Sequence, residues 1–188
     1  MKKVSTLFKK DPHNLGRVIN EVNPENTWVM DGHAIATRKF DGTAASIIDG
    51  VLYKRYDVRK GKQPPLDAIP CQEPDALSGH WPHWMKCDRV RPEDKFFFEG
   101  FDNLPEKIDG TYELVGPKVQ GNPEKFEKHM LVRHGSVTVE VPALDFYALR
   151  DWLAMEANDI EGVVFHHKSD CRMCKIRKSD FGIRRFRK

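Results

Sequence analysis

This 188-residue sequence predicts an α+β domain of antiparallel β-sheets with flanking helices. Three observations lead there. Two β-favouring runs flank Asp49-Gly50, a dipeptide suited to a two-residue hairpin turn. Short strand patterns recur in "GTYELVGP", "EGVVFHH" and "MCKIRK", each bounded by turn residues. One stretch, "LDFYALRDWLAMEAND", spaces Phe146, Leu149, Trp152, Leu153 and Glu156 at the three-to-four interval of a helix.

Taken in order, residues 27–58 read as extended, with Lys39 closing a strand just before the hairpin at Asp49-Gly50. The proline-rich "KGKQPPLDAIPCQEPDALSGHWPHW" predicts a long ordered loop, since Trp81 and Trp84 do not suit a flexible linker. "DKFFFEGF" and "GTYELVGP" predict strands, and "NPEKFEKHM" predicts a short helix with Asn122 as cap and Pro123 in its first position. "EGVVFHH" and "MCKIRK" then predict a second hairpin. The string K-x-D-G-T occurs twice, as "KFDGT" at 39–43 and "KIDGT" at 107–111, but the flanks differ, so no duplicated unit follows.

The length suits one domain, residues 1–188, with a sizeable core. Apolar residues make up 39% and charged residues 31%, as in soluble globular chains. No apolar run is long enough to span a bilayer, and "MKKVSTLFKKDP" lacks the apolar core of a signal peptide. A cytoplasmic protein without membrane contact is expected. The net charge of +3 is small, yet "CRMCKIRKSDFGIRRFRK" sets a run of Lys and Arg against the single Asp180, with Phe181 and Phe186 interleaved. Such a segment suits a phosphate-rich partner and equally makes a solvated basic tail. Cys171 and Cys174 form a lone C-x-x-C without the second close pair of a zinc site, and reduced thiols are expected.

A lysine amine is a nucleophile only when neutral, and its reference pKa of about 10.4 leaves it charged at physiological pH. Neighbouring cations or partial desolvation are needed to change that. In "KFDGT", the Asp41-Gly42 turn lets backbone approach a ligand, and its amides can face a phosphate. Further along, "LYKRYD" carries Lys54 and Arg55, "TYELVG" carries Glu113, "EGVVF" carries Glu161, and "CKIRK" carries Lys175 and Arg177. Strand alternation puts Met173, Lys175 and Arg177 on one face and Cys174 and Ile176 on the other. The same rule groups Glu161 with Val163 and Phe165, a carboxylate beside an apolar surface for a base.

Five motifs in this order, from Lys39 to Arg177, resemble the covalent nucleotidyltransferase superfamily of DNA ligases, RNA ligases and mRNA capping enzymes. The resemblance implies a nucleotidyltransferase (adenylyltransferase) fold in which Lys39 attacks the α-phosphorus of ATP, releases pyrophosphate and carries AMP as a phosphoramidate. It implies that Lys175, with Arg177, holds the α-phosphate, and that Glu161 positions Mg²⁺ or Mn²⁺ through water. Glu113 accepts from the ribose hydroxyl and helps hold the metal's water, Asp41 and Gly42 border the nucleotide, and Arg55 contacts nucleotide or acceptor strand. His134 and Phe146 are both candidates for the ring that stacks on adenine. Arg38 adds a cation beside Lys39 or faces solvent. The order also favours Lys39 over Lys107, because no room remains between Lys107 and the Glu113 strand for the basic strand expected there.

Eleven residues follow Arg177, too few for the OB-fold domain of capping enzymes and most DNA ligases. Together with "CQEPD", "GTYELVGPKVQGNPE", "EGVVFHH" and "KSDFG", this resembles minimal ATP-dependent RNA ligases of phages and some cellular genomes. A monomeric RNA-repair enzyme is implied, joining RNA 5′-phosphate to 3′-hydroxyl ends. A minimal DNA ligase, or a non-catalytic nucleic-acid-binding protein of the same fold, is the alternative. The Trp81–Trp84 loop and the basic tail are where the choice of strand is expected, unless the loop is simply packed over the core.

Overall fold

The computed structural model describes residues 3–75 and 79–185; Phe186 of the basic tail and residues 76–78 of the tryptophan-containing stretch lie outside the described residues. In chain order the strands are β1 Ser5–Thr6, β2 Phe8–Asp11, β3 Asn14–Val22, β4 Ala34–Lys39, β5 Thr43–Ile48, β6 Val51–Val58, β7 Ile69–Pro70 and β8 Trp81–Lys86. Helix α1 spans Lys95–Asp102, followed by β9 Gly110–Val115, β10 Met130–Arg133, α2 Phe146–Ala154, β11 Gly162–His167 and β12 Met173–Arg177. The chain divides into two compact units. Asp41–His134 with Lys3 makes an internal unit; Val4–Phe40 with residues 135–185 makes a terminal unit.

The terminal unit holds a four-stranded sheet in the order β1-β12-β11-β4, antiparallel except where β1 lies parallel to β12, and the separate β2-β3 pair. Leu7, Phe8, Trp28, Val163, Phe165, Cys174 and Ile176 form its core with Leu149 and Leu153 from α2. Those two leucines lie four residues apart on the predicted stripe and are fully buried. Asp145 starts the helix, its carboxylate accepting from the Ala148 amide at 3.0 Å.

In the internal unit one sheet runs β10-β9-β5-β6-β8-β7. The hairpin predicted at Asp49-Gly50 joins β5 to β6, with both turn residues at positive φ (49° and 71°). The second K-x-D-G-T copy serves this turn: Asp109 accepts from the Asp49 and Gly50 amides at 2.8 and 3.0 Å. Lys107, from the same copy, lies 5.2 Å over the Phe101 ring.

Four predicted elements differ. "DKFFFEGF" forms α1 and not a strand: after Pro92, Phe97 and Phe101 recur at the helical interval and are buried against Leu114 and Leu131. The phenylalanine run satisfies strand propensity, but its burial has helical period. "NPEKFEKHM" is a turn, because Asn122 and Lys125 adopt positive φ and the Asn122 side chain bonds Phe126 through both its oxygen and its amide group. Residues 27–29, predicted extended, belong to a 3₁₀ helix over Pro24–Val29. Within the predicted loop, Ile69–Pro70 and Trp81–Lys86 are strands, with Trp84 buried and the Trp81 indole donating to the Gln72 carbonyl at 2.9 Å.

Lys54 points from β6 to the apolar face of this sheet, where it pairs with the fully buried Asp94, which also accepts from the Asp88 amide at 2.9 Å. Removing Asp94 leaves the buried Lys54 amine with the longer contact, 3.8 Å, to the largely exposed Glu93. Asp94→Ala is therefore expected to lower stability in urea denaturation by about 3–5 kcal/mol, whereas Lys54→Met with Asp94→Leu recovers most of that loss.

Candidate active site

Register in the terminal unit decides what Lys39 faces. Gly162 of β11 stands opposite Lys39 of β4 and opposite Arg177 of β12, and Val164 stands opposite both Thr37 and Lys175. Residues directly opposite in antiparallel strands share a face, so Lys39, Lys175 and Arg177 lie on one side of the sheet. Phe165, Cys174 and Ala36 line up on the other, toward the core. The predicted alternation of β12 is thus observed: Cys174 and Ile176 are buried, while Lys175 and Arg177 are only partly so.

Glu161 immediately precedes β11, and the Lys39 ammonium donates to its Oε2. The backbone bends there, and Glu161 does not share a face with Val163 and Phe165. Those two side chains are buried in the core and offer no surface to a base, contrary to the sequence expectation. Gly162 permits the arrangement because a Cβ at this position would meet the Ile176 carbonyl and lie 2.7 Å from Arg177 Cα. Arg38 alternates away from Lys39, its guanidinium 4.9 Å from the Phe40 ring centroid.

The cations on this face differ in how they are held. Asp180, fully buried, accepts from the Arg177 backbone amide at 2.9 Å, from its guanidinium at 2.9 and 3.2 Å, and from Lys10 Nζ at 2.7 Å. Burial pushes the Asp180 carboxyl up, but the hydrogen bonds from Arg177 and Lys10 outweigh it and hold it below its ordinary range. The hydrogen bond to Asp180 in turn raises the Arg177 guanidinium above its ordinary value. Lys175 goes the other way: burial first, then the charges of Arg177 and Lys39, lower its amine from 10.5 to about 8, against the opposing pull of Asp180 and Glu161. Lys178, which follows Arg177 at the end of β12, is buried.

Within the internal unit the remaining predicted residues take other partners. Glu113 is buried on β9, its Oε1 accepting from the Gly42 amide at 3.1 Å and its Oε2 contacting His134 Nε2 at 2.9 Å. Gly42 fits only as glycine, since a Cβ would meet the Leu114 carbonyl and lie 2.9 Å from Glu113 Cγ. The Asp41 amide donates to Glu124 at 2.9 Å. Both amides expected to face a phosphate are therefore engaged by carboxylates. Arg55 donates to Asp57 at 3.0 Å and lies 5.8 Å over Trp84, opposite it on β8. In the terminal unit, Phe146 packs edge-on against Phe8 and Phe181 as a core ring, which removes it as the adenine platform.

Asp180, Lys10 and Glu124 were not legible as site residues. Asp180 alone carried a local signal, an acidic residue three positions into the turn that follows the basic strand. Among the described residues no group of three or more His, Cys, Asp or Glu is arranged to hold a metal. Glu161 is a single, partly exposed carboxylate, which suits a cation that keeps much of its water, as Mg²⁺ does. Cys171 is exposed, while burial pushes the Cys174 thiol up to about 12.

Residues 98–186 match the family model described as RNA ligase 1. The match takes in Glu113, His134, Glu161, Lys175 and Arg177 and begins after Lys39. RNA ligase 1 of Danio rerio is 31% identical over 88 residues, covering 43% of this chain and 27% of that protein. The proteins of that name from Rattus norvegicus and Pongo abelii are 31% and 30% identical over 87 residues, covering 43% of this chain and 26% of each. The chain thus spans about a quarter of the length of the curated relatives it matches. These similarities are to proteins named RNA ligase 1 and extend over less than half of this chain. Among the described residues no helix is long and apolar enough to cross a membrane.

The lowered Lys175 amine sets a pH dependence. Below about pH 8 it is charged in folded and unfolded chains alike, and the cost of burying that charge is fully present. Between about 8 and 10.5 the unfolded chain binds the extra proton, so this group makes stability rise with pH across that window. Urea denaturation at several pH values is expected to show the native chain gaining on Lys175→Met between those limits; a constant gap contradicts the assignment.

Proposed function

We propose that the protein is an ATP-dependent polynucleotide ligase that joins RNA 5′-phosphate to 3′-hydroxyl ends through AMP carried on Lys39. One observation carries the reading: the β4–β11–β12 register sets Lys39, Lys175 and Arg177 on a common face, with Glu161 on the Lys39 amine. A phosphate brought to that face meets a potential nucleophile and two cations together.

In this reading Lys39 attacks the α-phosphorus of ATP, forming the N–P bond as pyrophosphate leaves. Attack requires the amine to give up its hydrogen bond to Glu161 and to lose a proton to solvent water. Lys175 supplies the principal charge for the α-phosphate and disfavours the Lys39 ammonium by like-charge repulsion. Arg177, oriented by Asp180, supports Lys175. Glu161 would hold Mg²⁺ or Mn²⁺ by way of water, and the bound ion would neutralise phosphate charge. Glu113 accepts from the ribose. AMP then passes to the RNA 5′-phosphate, and the 3′-hydroxyl displaces it. The similarity to proteins named RNA ligase 1 supports RNA as the polymer.

Incubation with α-labelled ATP and Mg²⁺ is expected to leave acid-labile label on the protein, to leave none on Lys39→Ala, and to spare most of it on Lys107→Ala. Label that persists in Lys39→Ala contradicts the mechanism. Sealing at equal rates with 3′-ribo and 3′-deoxy acceptors contradicts the choice of RNA.

A further inference from the structure

His134 stands at the end of β10, held by its backbone amide on the Thr111 carbonyl at 3.0 Å, and both of its ring nitrogens are engaged. Nδ1 is 3.0 Å from the Thr111 hydroxyl and Nε2 is 2.9 Å from Glu113 Oε2. An ionised carboxylate only accepts, so Nε2 carries a proton and donates it, while Thr111 fixes the opposite side of the ring. The Gly42 amide donates to the other oxygen, Oε1, at 3.1 Å. Each oxygen of Glu113 thereby has one fixed donor and spare capacity to accept from a ligand. The carboxylate is clamped at both oxygens within a single unit, on a side chain only 11% exposed.

From this geometry we infer that His134 is a positioning residue for sugar selection: it holds Glu113 so that the carboxylate accepts from a ribose carrying both hydroxyls and discriminates against a 2′-deoxyribonucleotide. The inference rests on the ribose role proposed for Glu113 and adds the source of its selectivity. A carboxylate free to rotate can turn toward whichever hydroxyl remains or toward water, and loses little when one is missing. A clamped, largely buried carboxylate facing a deoxy sugar leaves an accepting position unfilled, which is where sites built to bond a hydroxyl gain their discrimination. The network also makes this role separable from adenine stacking, because stacking uses the faces of the ring and clamping uses its nitrogens.

The test is calorimetric binding of ATP and 2′-deoxy-ATP to the full chain carrying Lys39→Ala, which cannot consume the nucleotide, with adenylation of the native chain measured alongside. The Lys39→Ala protein is expected to prefer ATP by roughly ten- to hundredfold. Adding His134→Ala brings the two affinities within about threefold. His134→Phe, which keeps a stacking ring but no donor, behaves like His134→Ala, and His134→Gln, which keeps an N–H donor, restores most of the preference. Thr111→Val gives an intermediate loss. A preference unchanged in His134→Ala, or kept by His134→Phe, overturns the inference and assigns the ring to stacking or to structure alone. If the native chain forms no adenylate while the sugar preference behaves as described, the ligase reading falls and His134 keeps its role in nucleotide binding.

Discussion

The chemistry assigned to the terminal unit depends on one strand register, Lys39 opposite Gly162 and Gly162 opposite Arg177. Side chains in a strand alternate with period two, so a slip of one residue in β4 would turn Lys39 toward the core and bring Arg38 to the cationic face. The packing resists that slip. Phe165 and Cys174, opposite each other and fully buried, specify which face is core, and Gly162 is the residue that tolerates the close approach of β12.

On that face the charges are graded. Arg177 is committed to a buried carboxylate that Lys10 also neutralises, which fixes its guanidinium and satisfies most of its charge locally. Lys175 is held differently, and burial lowers its amine toward neutrality. A cation in that condition gains more from an incoming phosphate than one already paired, because the phosphate relieves a cost the fold has imposed. In the internal unit the logic is reversed: Glu113 is the group held ready, and donors clamp it.

Much of this was readable in the sequence. The Asp49-Gly50 hairpin, the β11–β12 hairpin and the face shared by Lys175 and Arg177 follow from local turn chemistry and strand alternation. The errors share a cause. "DKFFFEGF" has strand-favouring residues, but tertiary burial selected its helical period, and Val163 and Phe165 alternate correctly yet enter the core. Non-local partners were invisible: Lys10 lies 170 positions from Asp180 and His134 lies 21 from Glu113. Glu161 and Gly42 were found as motif members, but their partners, the Lys39 amine and the Glu113 carboxylate, come from the folded chain. The duplicated K-x-D-G-T string shows how far local sequence reaches. In one copy the lysine faces Lys175; in the other the aspartate caps the turn at Asp49-Gly50.

The most direct test of the account is the location of the covalent AMP. Peptide mapping by mass spectrometry after incubation with ATP and Mg²⁺ is predicted to find a single adenylated residue, Lys39, with the adduct discharged on adding pyrophosphate. An adduct on Lys107 or Lys175, or one on Lys39 that pyrophosphate does not reverse, would contradict it.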